Sequence, residues 1–220
     1  KPLGINIAED WALRKEVHHH KRVFQFGTQQ RSSRTFRLAC ELVRNGRIGK
    51  LKHINVWAPA SAPGGSTEVL PVPAGFDYER WLGPAAFRPY TKDLCEGLGA
   101  GKTWWFISDF ALGWIAGWGI HPMDIALWGA GDLAGGTVEI AGKGRFPTQG
   151  ACNTATTWDV DFTFERGLTM KFVGAPYGAP DEPFAHHDEW TQRYGDINDH
   201  GTAFEGSDGW VLVDREHIKM

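Results

Sequence analysis

His121 and Asp124 lie three residues apart in the stretch DFALGWIAGWGIHPMDIALWGAG, residues 109–131, which opens on Asp109. An imidazole can gain or lose a proton near neutral pH, which makes a histidine on an apolar face a point of interest. A carboxylate three residues on along a helix can reach the imidazole and orient it. Trp114, Trp118, His121, Ile125 and Trp128 recur at steps of four and three, which places them on one side of a helix. Two readings of His121 follow: a proton acceptor on a tryptophan-lined face, or a core histidine satisfied by a carbonyl. Asp124 likewise reads as an imidazole-orienting group or as a helix-surface contact. Two further clusters carry metal-ligating types, His18-His19-His20 and His186-His187-Asp188-Glu189. Adjacent side chains diverge, so both read better as solvated polar segments, the first as a cationic helix end opposing the dipole.

The elements that must position these groups are legible in part. Gly117 and Gly119 each cost a helix about 1 kcal/mol against alanine. Either something approaches the backbone there or the helix starts only near Ile120, an option that Pro122 in a first turn supports. Gly129 and Gly131 close it. Upstream, Asn6 and Glu9 form a capping-box-like pair, and Ala8, Trp11 and Ala12 give the following helix one apolar side as far as the three histidines. Val23–Phe26 reads as a short strand. Phe36, Ala39, Cys40 and Val43 fall at i, i+3, i+4 and i+7, an amphipathic helix closed by Asn45-Gly46. Residues 51–58 alternate as a strand, with Leu51, His53, Asn55 and Trp57 on one face and Ile54, Val56 and Ala58 on the other. Residues 59–103 are broken by Pro59, Pro63, Pro71, Pro73, Pro84 and Pro89. A loop of that length inside a compact domain is usually functional or disordered. Phe76, Tyr78, Trp81, Phe87 and Tyr90 would anchor it as an ordered flap. Further strands are expected at 137–140, 156–164, 168–172, 202–204 and 210–213, the middle two and the last two as hairpins. Residues 174–200, with Tyr177 and His200, read as irregular.

Bulk properties exclude several classes. The 220 residues are 42% hydrophobic and 22% charged, ordinary for a globular protein. The net charge of −3 and the lack of a basic tract give no footprint for nucleic acid. No apolar run is long enough to span a membrane. Three cysteines, an odd number and widely spaced, suit free thiols in a reducing compartment, which points to the cytoplasm. The chain opens KPLGINIAED, without a signal-peptide pattern or an initiator methionine, and so reads as processed or truncated. Eleven tryptophans are many. They fill cores or line carbohydrate clefts.

Lys1-Pro2-Leu3, the GTQQRSS turn, ELVRNGRIGKLKHINVW, the WLGP loop and GWGIHPMDIALWGAG, in that order, make the chain similar over nearly its whole length to the Gfo/Idh/MocA oxidoreductases. The resemblance implies an α/β (α+β) chain: a large, predominantly antiparallel sheet with helices on one face, and a truncated Rossmann domain. Residues 1–30 would be the remnant of the dinucleotide-binding domain. Residues 31–220 would be the substrate and oligomerisation domain, incomplete at its C-terminus. The glycine fingerprint of such a domain does not follow any strand here. NAD or NADP would serve the parent enzyme, with none expected on this fragment.

Residue by residue, the family's catalytic lysine corresponds to Lys1 and its catalytic histidine to His121, with Asp124 as a candidate orienting group. Lys1, Pro2 and Gln29 are the cofactor-side candidates, and Tyr78, Trp81, Trp104 and Trp105 the substrate-side ones. Where many members carry an aspartate four residues before the histidine, this chain has Gly117. The implied function is the substrate-binding portion of an NAD(P)-dependent dehydrogenase acting on a sugar, polyol or glycoside hydroxyl, inactive alone and homodimeric through its sheet face. No metal, membrane or nucleic-acid partner is expected. The alternative is a non-catalytic sheet module acting through self-association or partner binding. A redox-neutral lyase or hydrolase that holds NAD is a third option.

Overall fold

A computed structural model describes residues 1–95, 104–174 and 186–220. The helices are α1 (Ile7–His19), α2 (Arg34–Arg44), α3 (Tyr78–Leu82), α4 (Gly113–Gly117), α5 (Ile120–Ala130) and α6 (His187–Tyr194). The strands are β1 (Leu51–Ala58), β2 (Val138–Arg145), β3 (Thr157–Phe164), β4 (Thr169–Gly174), β5 (Gly201–Gly206), β6 (Trp210–Val213) and β7 (Ile218–Lys219). They fall into two compact units.

One unit comprises Gly27–Ala60, Trp118–Gly144 and Thr157–Met220. Its centre is one seven-stranded sheet, ordered β2-β3-β4-β1-β5-β6-β7. β1 pairs parallel with β4 and antiparallel with β5, and the β3–β4, β5–β6 and β6–β7 pairs are antiparallel. The strands expected from residue 51 onward thus join one mostly antiparallel sheet. The alternation in β1 decides which residues face which way. Ile54 and Val56 lie beside Phe204 and Thr202 of β5. That face meets α5: Gly129 abuts the Phe204 ring, and the Thr202 hydroxyl donates to the Pro122 carbonyl at 2.8 Å. A Cβ at Gly129 would sit 2.4 Å from that ring, so only glycine lets the helix approach so closely. α2 buries the four residues its periodicity selects, Phe36, Ala39, Cys40 and Val43. Burial pushes the Cys40 thiol up to about 12, so this cysteine is an inert core group.

The opposite face carries Asn55 and Trp57. There α6 adds a second cover, which the expectation of helices on one face did not include. Trp190 and Tyr194 of α6 join Trp57, Val173, Ala203 and Leu212 in a buried cluster. α6 lies in a stretch read as irregular. Tyr177 and the rest of 175–185 lie outside the described residues.

The other unit comprises Lys1–Phe26, Ser61–Gly117 and Arg145–Thr156. α1 has its expected cap: the Glu9 amide donates to the Asn6 side chain at 3.1 Å, and the Asn6 side-chain amide donates to the Glu9 carboxylate at 2.8 Å. It has no buried residue, and Trp11 is exposed, so the expected apolar side is not used within this chain. Val23–Phe26 forms no strand; Val23 is fully exposed. A strand needs a neighbour to receive its hydrogen bonds, and none pairs with it among the described residues. The flap builds its own core from Tyr78, Leu82, Leu94 and Ile107, with Phe76, Trp81 and Tyr90 packed against it. Phe87 is exposed and anchors nothing. Residues 96–103 of the flap lie outside the described ones.

Candidate active site

The helix that carries His121 starts at Ile120, after a break that separates it from α4. Its buried side is His121, Pro122, Ile125, Ala126 and Gly129, while Trp128 is only half-buried. His121 is 5% exposed. Its ring stands edge-on to Trp118, with centroids 5.7 Å apart. The other contacts of Trp118 extend the cluster: the His200 ring lies 4.5 Å away, and the Arg215 guanidinium sits 4.4 Å from the indole centroid. His200 Nδ1 is 2.6 Å from Asp199 Oδ1, and the Arg215 backbone N–H donates to His200 Nε2 at 3.4 Å. Because Nε2 accepts, the proton belongs on Nδ1, which donates to the carboxylate. The hydrogen bond from His200 holds the Asp199 carboxyl below its usual range.

That shift has a sign. A depressed carboxylate adds stability above its unfolded pKa, roughly 4, and the contribution is lost as pH falls through the folded value. Asp199→Asn should therefore lower the melting midpoint at pH 7 by about 2–4 °C, near 1 kcal/mol, a modest figure because Asp199 is half exposed. The difference from wild type should shrink below pH 4 in a thermal melt series. A difference independent of pH would contradict the assignment.

Asp124 does not go to His121. Both its oxygens are taken by Arg31, Nε to Oδ2 at 2.7 Å and Nη2 to Oδ1 at 2.8 Å. The bidentate pair raises the Arg31 pKa further. Arg31 also lies over the half-buried Trp128 ring, at 5.3 Å. The fork geometry of a guanidinium suits a carboxylate better than an imidazole does, so the helix-surface reading of Asp124 is the one realised. Gln29 opens the single 3₁₀ turn Gln29–Ser32 that presents Arg31. The next residue, Gln30, is 4% exposed, and neither polar atom of its amide has a hydrogen-bond partner among the described residues. Sequence reading did not single out Gln30, Arg31, Asp199 or Arg215 and placed His200 only within an irregular stretch; the GTQQRSS turn hinted at the first two.

In the other unit Trp104 and Trp105 stack at 4.6 Å, and Trp105 reaches Trp114 at 5.4 Å. Gly117 lies directly against Trp105: an added Cβ would be 2.6 Å from the ring and 3.5 Å from the Lys1 carbonyl oxygen. Lys1, Trp105 and Gly117 are thereby brought together. The space an aspartate side chain would need at 117 is filled by an indole. Gly117→Asp should cost roughly 1–3 kcal/mol through overpacking, visible as a lowered denaturation midpoint; an unchanged midpoint would show that Trp105 can move aside. Tyr78 and Trp81 stack on each other at 6.0 Å in the flap core, and the Tyr78 hydroxyl donates to the Arg88 carbonyl at 2.9 Å. Tyr78 is buried and committed to that core.

His186 stacks on Trp190 and approaches Asp159, while His187 turns to Asp188. Among the described residues no three His, Cys, Asp or Glu side chains are grouped to hold a metal ion. All three cysteines are free thiols. No helix among the described residues is long and apolar enough to cross a membrane. On the face of the sheet opposite α5, a cleft of about 510 Å³ is lined by Asn55, Trp190, Arg193, Tyr194 and Glu205, among others. There the Asn55 amide donates to the Tyr194 hydroxyl at 2.9 Å, which donates to Glu205 at 2.5 Å.

The sheet and helices have the fold seen in part of several solved oxidoreductase structures. These structures superpose on nearly the whole chain. The aldose-aldose oxidoreductase from Caulobacter crescentus, complexed with glycerol, is 15% identical, with a TM-score of 0.64 over 97% of this chain and 48% of that one. The WlbA dehydrogenase from Chromobacterium violaceum, in complex with NADH and UDP-GlcNAcA, is 14% identical, with a TM-score of 0.61 over 100% and 50%. GenD2 from gentamicin A biosynthesis, in complex with NAD, is 16% identical, with a TM-score of 0.60 over 97% and 46%. The chain spans about half the length of the structures it matches. No protein-family model and no curated protein matches the sequence. At these identities the likeness establishes the fold.

Proposed function

We propose that this chain is the substrate-binding portion of an NAD(P)-dependent oxidoreductase acting on a sugar, polyol or glycoside hydroxyl, with residues 1–30 the end of the dinucleotide-binding domain and 31–220 the substrate and oligomerisation domain. The observation that supports the reading is His121, an imidazole buried in the first turn of α5 beside the Trp118–His200–Asp199–Arg215 cluster. Among the described residues no parallel strand runs through a glycine turn into a helix, so they do not form a dinucleotide cradle. A nicotinamide cofactor, bound by the longer protein, would supply hydride acceptance. The chain's own residues act on the oxygen. His121 takes the hydroxyl proton, the Lys1 ammonium stabilises the developing alkoxide, and Trp104 and Trp105 offer ring faces to a sugar. Asp124 contributes through Arg31 by fixing the helix rather than by touching the imidazole. The protein works in the cytoplasm as a homodimer joined through the sheet face opposite α5, which presents the Lys171–Asp159–Asp161 charges beside α6.

One observation favours the non-catalytic sheet module instead: Trp105 fills the space that an acidic side chain at position 117 would need. Cofactor reduction by the longer protein, screened over cyclitols, aldoses and glycosides, separates the two. NAD(P)H formation with any of them supports the dehydrogenase, and none with all of them supports the module. In a fluorescence titration with NADH, this chain alone should show no binding at physiological cofactor levels. A micromolar affinity would contradict that.

A further inference from the structure

We propose that β2 is a self-pairing edge, through which two copies of this chain join their sheets into one antiparallel sheet across a two-fold axis at Ala141. β2 is terminal in the strand order, eight residues long, and exposed at every residue, with Ile140 at 57%. Long exposed edges are templates for pairing, and proteins usually blunt them with lysine, proline or a bulge. β2 has no proline, and its one mid-strand lysine, Lys143, is matched by Glu139 the same distance on the other side of Ala141. Neither has an ion-pair partner among the described residues of its own chain.

The register follows from the backbone. The Thr137 carbonyl accepts from the Glu165 N–H at 2.9 Å, and the Arg145 carbonyl from the Thr156 N–H at 2.8 Å. Odd-numbered residues of this stretch therefore turn their peptide groups inward, and Val138, Ile140, Gly142 and Gly144 turn theirs outward. An antiparallel copy centred on Ala141 sets Ile140 opposite Gly142 and Val138 opposite Gly144, so outward groups meet outward groups. The same register sets Glu139 opposite Lys143 twice, on one face, as close non-hydrogen-bonded pairs. A shift by two residues in either direction separates the charges. Hydrogen bonding, charge and symmetry thus select one occupant, a second copy of the same strand. The contact is separate from the sheet-face dimer.

Light scattering of the full chain tests it. Ile140→Pro removes an outward N–H and leaves the inward pairing with β3 intact; circular dichroism checks that the variant folds. Glu139→Lys is a surface change that places like charges opposite each other. The wild type should have twice the mass of both variants, and the double variant Glu139→Lys/Lys143→Glu should regain the wild-type mass. Equal masses for the wild type and both single variants would overturn the proposal. A mass that halves with proline but does not return with the charge swap would overturn the register, and the proposal with it.

Discussion

His121→Ala in the longer protein should lower kcat by roughly 10²–10⁴-fold, the usual scale for a positioned general base, while the denaturation midpoint changes little. In the proposed reaction the hydroxyl proton has to be removed. Hydride departure from carbon leaves a carbonyl only if the oxygen loses its proton, and the buried imidazole on the first turn of α5 is the residue assigned to take it. The acid limb of the pH–kcat/KM profile should disappear in the variant, because a protonated base no longer limits the rate. The structural reading of His121 expects the reverse pattern. Removing a buried hydrogen-bonding group would then cost roughly 1–3 kcal/mol of stability and leave turnover per folded molecule near normal. That result would sink the catalytic role.

Trp57→Ala should be the most destabilising single change, at roughly 3–5 kcal/mol, the range for truncating a buried tryptophan. Trp57 is fully buried in β1 and lies against Trp190 at 5.2 Å, and its indole N–H donates to the Asn198 carbonyl at 2.8 Å. Gly201, on the neighbouring strand, exists to admit it: a Cβ there would come within 2.4 Å of the ring. Truncation therefore leaves both a cavity and an unpaired carbonyl. Trp57→Phe keeps much of the volume and should lose about half as much. Denaturant unfolding reads both. A loss below roughly 1 kcal/mol for the alanine variant would mean that α6 collapses onto the sheet to fill the space.

The parts legible in the sequence are those set by local period. α2 and β1 emerge residue for residue because one side of each is apolar at the right spacing, and both bury that side in the structure. The break before Ile120 was legible as one of two options, from Gly117, Gly119 and Pro122. Val23–Phe26 has the composition of a strand, but strand formation is a property of neighbours. α6 escaped because HHDEWTQRY carries its apolar surface on two aromatic residues, Trp190 and Tyr194, whose value depends on Trp57 waiting across the sheet. Of the candidate site, the sequence singles out His121 and the departure at Gly117. Its surroundings were not legible. Arg31 meets Asp124 across 93 residues of sequence, and His200 meets Trp118 across a comparable gap. No spacing rule reports a pair so distant. The Trp105 ring over Gly117 supplies the physical reason for a glycine that sequence could only register as an exception.

The central claim is oxidation of a hydroxyl-bearing carbon, and the label on that carbon tests it most directly. The longer protein is incubated with oxidised NAD or NADP and a sugar or polyol deuterated at the reacting carbon, and the nicotinamide is examined by mass spectrometry. One deuterium carried from substrate carbon to the nicotinamide ring, lost on His121→Ala, is the expected result. Label that stays on the substrate or passes to water with every substrate offered would contradict the account.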